Sequence, residues 1–455
     1  MTIKTILASD IAVLDSDIRV GGGTDVTKEI QNALDEAKRS GGVRLVMDGA
    51  ALVSELVVHS NTTIECLTSD CGFFQKGQSN HPLIRNEIWD RKERTAKNIS
   101  LIGGTYNGNC MDQIHDYPED PWMNGANSFN GRHGTVPIEF CGVEDLLVRG
   151  IRIVDFRTYA FMLTNFRNCT IEDSWVDLPH RMHAQNQDGF HFWGPGEFLT
   201  IRNVGGKVGD DFMNIGPDEG DGCSPITDVL VDGVFLDDAD QAIRILSRGT
   251  GLCDRITIRN VSGSYRSFGF YINSWFPDET AGNFGDIFIE NVSLTHTAPN
   301  YDYRPPMLFS VGGDIRCLTL KNIRHEYPID ARAVGEFGFP FHSTTPRTID
   351  AYVAAGGKTH KIQNLIIDGV TVLENGDSEN MEVFSVYGEI GNLILKNVFS
   401  AKDKGVKRSG TLLAVHPTGS VDLLDAKDIV TVGSTRAITG KENVSVLLEN
   451  NITEL

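Results

Sequence analysis

Three carboxylates stand at a spacing that could do chemistry: Asp188 in NQDG (186–189), and the pair Asp210–Asp211 in VGDDFMNIG (208–216). They lie 22 and 23 residues apart. Crowded carboxyl groups suit general acid–base work, because one can hold a proton while another is ionised and accepts one. Four short alternating segments carry further polar groups at matching places: DGFHFW (188–193), DFMNIG (211–216), QAIRIL (241–246) and FGFYIN (268–273). Aligned as strands, they put Phe190/Phe192, Met213/Ile215, Ile243/Ile245 and Phe270/Ile272 on the inward face. The outward column then reads His191, Asn214, Arg244, Tyr271, which predicts a polar cleft beside the carboxylates. Strict alternation turns Asp188 and Asp211 inward, so the backbone has to bend there to expose them. The competing reading of each Asp is a turn-capping residue, and DDAD (237–240) reads as a solvated acidic turn.

Residues 22 apart become neighbours only if the chain returns to the same place once per coil, and the sequence supplies such a return. Two or three alternating apolar residues, then Asn, Asp or Gly, then another apolar pair recur as FLTIRNVGG (198–206), DVLVDGVFL (228–236), RITIRNVSG (255–263), IFIENVSLT (287–295) and LILKNVFSA (393–401). The turn markers Asp173, Asn203, Asp232, Asn260, Asn291 and Asn322 step by 30, 29, 28, 31 and 31 residues, and Asp368 and Asn397 lie 29 apart. A fixed period of short strands without intervening helices predicts an all-β solenoid, a right-handed parallel β-helix over 45–455. The Asn and Asp markers suit turns in the left-handed region, where stacked side chains form a ladder. That ladder also explains the seven Asn-x-Ser/Thr sequons, at Asn61, Asn98, Asn168, Asn260, Asn291, Asn443 and Asn451, without sugar.

An open solenoid end needs covering. Residues 22–42 predict one amphipathic capping helix, with Thr27 or Asp25 as cap, Ile30, Ala33, Leu34 and Ala37 on its apolar face, and Gly41–Gly42 as its stop. Residues 1–44 thus form a cap. The stretches 110–135 and 326–360 break the period and read as long loops, which in solenoids often leave from the binding face.

Composition narrows the partners. In 455 residues, 41 Lys+Arg stand against 61 Asp+Glu, a net charge of −20. This argues against a nucleic-acid or acidic-lipid partner. No run reaches the ~18–20 apolar residues of a membrane span. The start, MTIKTILASDIAVLDSD, lacks the apolar stretch of a secretory signal, so the chain is either intracellular or trimmed. Eight scattered cysteines read as buried thiols, with Cys66–Cys71 the best candidate disulfide.

The order NQDG (186–189), GDD (209–211) and IRIL (243–246), with GGTYNGNC (103–110) upstream, resembles the signature of polygalacturonases and related pectin-degrading glycoside hydrolases on a parallel β-helix, over roughly residues 20–320. The resemblance implies an inverting hydrolysis, with Asp210 as acid and Asp188 and Asp211 holding the water. With the outward column, this makes Asn186, His191, Asn214, Arg244, Tyr271 and Trp275 the expected carbohydrate-binding residues, the resemblance placing Arg244 on a sugar or its carboxylate and Trp275 near a subsite Tyr. No cofactor and no metal is expected. The pattern departs from the family in two places. GDGCSPITDV stands where the family carries a GHG motif, and Leu246 replaces a Lys, which weakens galacturonate specificity more than hydrolysis. Dextranases and isopullulanases, three-Asp β-helix enzymes of neutral glucans, remain an alternative. So do a lyase or uronate epimerase using Arg244 or Tyr271 with calcium, and a non-catalytic carbohydrate-binding β-helix. His180, His183 and His191 make a weak zinc candidate. Trp193, Trp275 and Tyr271 are candidates for stacking on sugar.

Overall fold

The computed structural model describes residues 3–113, 135–180, 186–274, 280–297, 306–327, 333–341, 345–374, 382–402, 410–433 and 435–455. Two compact units divide the chain, Met1–Asn214 and Ile215–Leu455. Within each, the strands pair in parallel with those one coil away, which is the solenoid expected from the period.

In the first unit Ile138–Arg149 pairs with Phe161–Glu172, and Phe161–Glu172 with Phe190–Lys207. In the second, Cys253–Tyr265 pairs with Phe284–His296, and that strand with Ile315–Tyr327. Side chains alternate in and out, and the expected inward positions 190, 192, 213, 215, 243, 245, 270 and 272 are all fully buried. The register inferred for 241–246 against 268–273 is the one found, Ile243 beside Phe270 and Arg244 beside Tyr271.

The ladder is present, with two shifts. Asn98, Asn203, Asn260, Asn291, Asn322 and Asn397 sit at positive φ, where an Asn tolerates left-handed backbone. Asn291 Nδ2 donates to Asn260 Oδ1 at 3.0 Å, and Asn322 Nδ2 donates to Asn291 Oδ1 at 2.6 Å. In the coils marked by Asp232 and Asp368 it is the next residue, Gly233 or Gly369, that takes the left-handed turn. Glycine carries no Cβ penalty there, and the Asp before it accepts the ladder bond from Asn260 or Asn397. Asn443 lies outside the ladder, in a 3₁₀ turn, donating to the Val415 carbonyl.

The capping segment is two helices, α1 (Thr27–Leu34) and α2 (Glu36–Ser40), ended by Gly41 in the left-handed region. Asp25 accepts from the N–H and hydroxyl of Thr27 at the entry. Between the helices, Asp35 takes Nε2 of buried His59 at 2.8 Å, while Nδ1 meets Glu87 at 3.1 Å, fastening the cap to the first coils.

The 326–360 excursion is shorter than its sequence suggests. Ala333–Phe337 is a strand in register, with Glu336 beside Ser310 and Ser385. Both of its faces are covered, so AVGEF shows no clean alternation. The remainder, with α3 (Ile349–Ala354), folds back: Phe339, Phe341, Ile349 and Tyr352 pack with Phe268, Tyr271, Met307 and Tyr387. Most of the 110–135 excursion lies outside the described residues. The eight cysteines are free thiols, six of them buried, with Cys223 exposed. Cys66 and Cys71 form no disulfide, and burial pushes the Cys66 thiol up to about 12.

Asn291 joins two ladder bonds to a left-handed backbone. Asn291→Ala is expected to cost about 1–2 kcal/mol and to quicken amide exchange in the flanking strands by about tenfold. Asn291→Gly, which relieves the backbone, should lose roughly half as much. Exchange measured by mass spectrometry that is unchanged in the Ala variant would show that the ladder contributes nothing.

Candidate active site

The carboxylates meet where two turns of the first unit pass close together. The turn 186–189 leads into the strand starting at Phe190, and the turn 208–210 leads into the strand starting at Asp211. Gly209 and Asp210 donate their backbone N–H groups to the Gln187 carbonyl at 3.0 and 3.3 Å, and Gly189 donates to the Asp211 carbonyl at 2.9 Å. Two glycines permit this approach. A Cβ on Gly209 would stand 2.9 Å from Gln187 Cβ, and one on Gly189 would stand 2.5 Å from the Phe212 carbonyl oxygen. Gln187 is held in turn, its amide donating to the Phe156 carbonyl at 2.9 Å.

The pass brings an oxygen of Asp188, Asp210 and Asp211 within 4.8 Å of one another. Asp188 and Asp211 are buried, and Asp210 is the partly exposed member. The bend required at Asp188 is present: its Oδ2 lies 2.7 Å from Nδ1 of His191, three residues on and therefore on the opposite face of an ideal strand.

His191 is 2% exposed and is held from every side. The Tyr159 ring stacks on it with centroids 3.8 Å apart. Trp193 Nε1 lies 2.8 Å from His191 Nε2, and Asn214 Nδ2 lies 3.0 Å from the same nitrogen. The indole N–H can only donate, so Nε2 is an acceptor and the ring proton sits on Nδ1, donated to Asp188. Asp188 is thereby oriented by a hydrogen bond donated to its Oδ2.

The structure thus brings together Asp188, Asp210, Asp211, His191 and Asn214. It places His191 and Asn214 under cover, supporting Asp188, where the alternation suggested an open cleft. Asn186 lies half-buried on the same turn. Arg244 and Tyr271 belong to the second unit, where the Arg244 guanidinium stands 5.5 Å from the Tyr271 ring centroid and the Tyr271 hydroxyl donates to the Phe341 carbonyl. Tyr271 is buried beneath the folded-back excursion, so its ring is not an open stacking platform. Trp275 and His183 lie outside the described residues. Sequence reasoning missed Tyr159, Gln187 and the role of Gly209, which sit in turns without a period. It also missed Glu139, which stands in the same column as His191 two coils earlier, fully buried, and accepts from Trp89 Nε1 at 3.0 Å.

No protein-family model and no curated protein sequence matches the chain. Among solved structures it is similar to the family 28 exopolygalacturonase of Yersinia enterocolitica, at 15% identity and TM-score 0.47 over 99% of this chain and 78% of that one. It is similar also to a hyperthermoactive exopolygalacturonase of Thermotoga maritima, at 13% identity and TM-score 0.45 over 98% and 92%. A third is the N-terminal fragment of bacteriophage Phi29 gene product 12, at 12% identity and TM-score 0.56 over 99% and 70%. At such identities the likeness is one of fold.

The hydrogen bonds fix the His191 tautomer. Long-range ¹H–¹⁵N spectra should show His191 protonated at Nδ1 and bare at Nε2, and Trp193→Phe should release that lock and admit the Nε2–H form. An Nε2–H tautomer in the unaltered protein would contradict the arrangement.

Proposed function

We propose that this chain is a glycoside hydrolase, polygalacturonase-like in its site and built on a right-handed parallel β-helix, that cleaves a glycosidic bond in a pectic or related glycan by inversion. The observation that carries the reading is the convergence of Asp188, Asp210 and Asp211 within 4.8 Å on one face of one turn pair. Their order in NQDG and GDD supports it, as does the division of environments among them.

Asp210, the member with solvent access, is assigned as the acid. It gives its proton to the glycosidic oxygen as the bond from that oxygen to the anomeric carbon breaks. Asp188, fixed by the N–H of His191, and Asp211 hold a water, whose oxygen bonds to the anomeric carbon while its proton passes to a carboxylate. The ring of His191, buried and stacked under Tyr159, does not touch sugar in this scheme. Its work is to hold Asp188. Arg244 is assigned to sugar binding on its motif alone, and Leu246, where the family has Lys, favours a site less dedicated to galacturonate.

The 4.8 Å limit is one between single oxygens and not between carboxyl groups, so inversion rests on the motif resemblance and not on the roughly 6.5–9.5 Å separation usual for inverting pairs. Oxygens this close also match what one hard cation would span at roughly 2.3–2.6 Å per ligand. The assay therefore carries a chelator arm.

Incubation with polygalacturonate, galactan and dextran should yield new reducing ends from at least one glycan, unaffected by chelator and without the ultraviolet absorbance of an unsaturated end. Asp210→Asn, Asp188→Asn and Asp211→Asn should each lower kcat by ~10²–10⁴-fold with KM nearly unchanged. Unsaturated products that need calcium would replace this reading with elimination. Full activity in all three variants, with unchanged circular dichroism, would return the carboxylates to turn capping.

A further inference from the structure

A second feature of the first unit includes none of the three carboxylates. The short strands Thr105–Asn107, Arg152–Val154 and Trp175–Asp177 stack in register, Thr105 beside Arg152 beside Trp175, and Asn107 beside Val154 beside Asp177. Tyr106, Ile153 and Val176 between them are fully buried, so Arg152, Trp175 and Asp177 stand on the outer face. A cavity of about 360 Å³ opens against this face, walled by Arg152 and Asp177 and closed by Arg19, Asp70 and His180.

The walls are anchored. Asn107 Nδ2 donates to the Ile18 carbonyl at 3.0 Å, fixing the loop that carries Arg19. Buried Asp155 takes Nδ1 of His180 at 2.8 Å and its backbone N–H at 3.3 Å. The charged groups at the rim are more loosely held. Arg19 stands 3.7 Å from Asp70, and Arg152 stands 3.9 Å from Asp177, both beyond hydrogen-bond length. Each guanidinium thus keeps donors, and each carboxylate keeps acceptors, side by side. Trp175 is 38% exposed, and its other neighbour in the sheet is Gly205, which carries no side chain to cover it.

We propose that this face is a carbohydrate-binding site distinct from the carboxylate trio, taking a neutral sugar unit in the cavity through adjacent hydroxyls, with Trp175, which stands beside Arg152 in register and outside the cavity lining, offering its ring to the C–H face of that unit or the next one along the glycan. A hydroxyl both accepts and donates, so it satisfies a guanidinium and a carboxylate standing side by side. An indole supplies a flat apolar surface of ring size. An anionic ligand is disfavoured, since Asp70, Asp155 and Asp177 outnumber Arg19 and Arg152, and His180 adds a charge only when protonated. An apolar ligand would find only Ile18, Val154 and Pro179. None of Asp188, Asp210 and Asp211 lines the cavity. The site holds whether or not the trio hydrolyses, because it needs no bond to break.

Native electrophoresis of the full chain through gels containing soluble dextran, galactan or polygalacturonate tests this, in an Asp210→Asn background so that no glycan is consumed. Dextran or galactan should retard the protein. Trp175→Ala and Arg152→Gln should each weaken that binding at least tenfold, and Trp175→Phe should keep part of it. The proposal is overturned if neither neutral glycan retards the chain, if only polygalacturonate does, or if Trp175→Ala and Arg152→Gln run as the parent does. Retardation that persists in the catalytically dead trio variants and is lost in Trp175→Ala and Arg152→Gln supports the outer site, and a chain inactive on every glycan leaves this binding result standing by itself.

Discussion

The site depends on one close approach of backbone. Where 208–210 crosses 186–189, two N–H groups converge on the Gln187 carbonyl, and Gly189 and Gly209 leave room for it. Parallel strands one coil apart are held about 4.8 Å from each other, so any residues at this crossing become neighbours. The residues here are carboxylates, whereas each step of the turn ladder sets an amide donor against an amide or carboxylate acceptor. Three acidic groups at one crossing repel one another. Phe190 and Met213, both fully buried, anchor the strands that follow the two turns.

Around that crossing the molecule spends its aromatic and amide side chains on orientation. His191 is bonded to Asp188, Trp193 and Asn214 and stacked by Tyr159. A neutral imidazole with both nitrogens engaged is a rigid donor, and it distinguishes Asp188 from the partly exposed Asp210. Two carboxyl groups in unlike environments are what general acid–base chemistry requires, and here the difference follows from burial and from one hydrogen bond.

The period, the parallel pairing and the buried columns were legible in the sequence because they are repetitive: each coil votes for the same register. Single departures were not. Gly233 and Gly369 take turns that Asp232 and Asp368 mark in the sequence, because Gly and Asn satisfy the same left-handed position by different means. Ala333–Phe337 hides as a strand because Val334 and Glu336 on its outward face are buried as well as Phe337 on its inward face, which erases the alternation. The excursion after it buries Tyr271. At the site, the three Asp and His191 could be named from spacing, and their bend from the conflict with alternation. Tyr159 and Gln187 could not, since a turn residue that packs across coils leaves no periodic trace.

The central claim is that the crowded trio performs an inverting hydrolysis. The most direct measurement is the proton NMR spectrum of the first product released from whichever glycan the chain cleaves, recorded before mutarotation equilibrates the new reducing end. The account predicts that this end appears first in the anomeric configuration opposite to that of the bond cleaved. A product that appears first with the original configuration, or that carries an unsaturated non-reducing end, would contradict it.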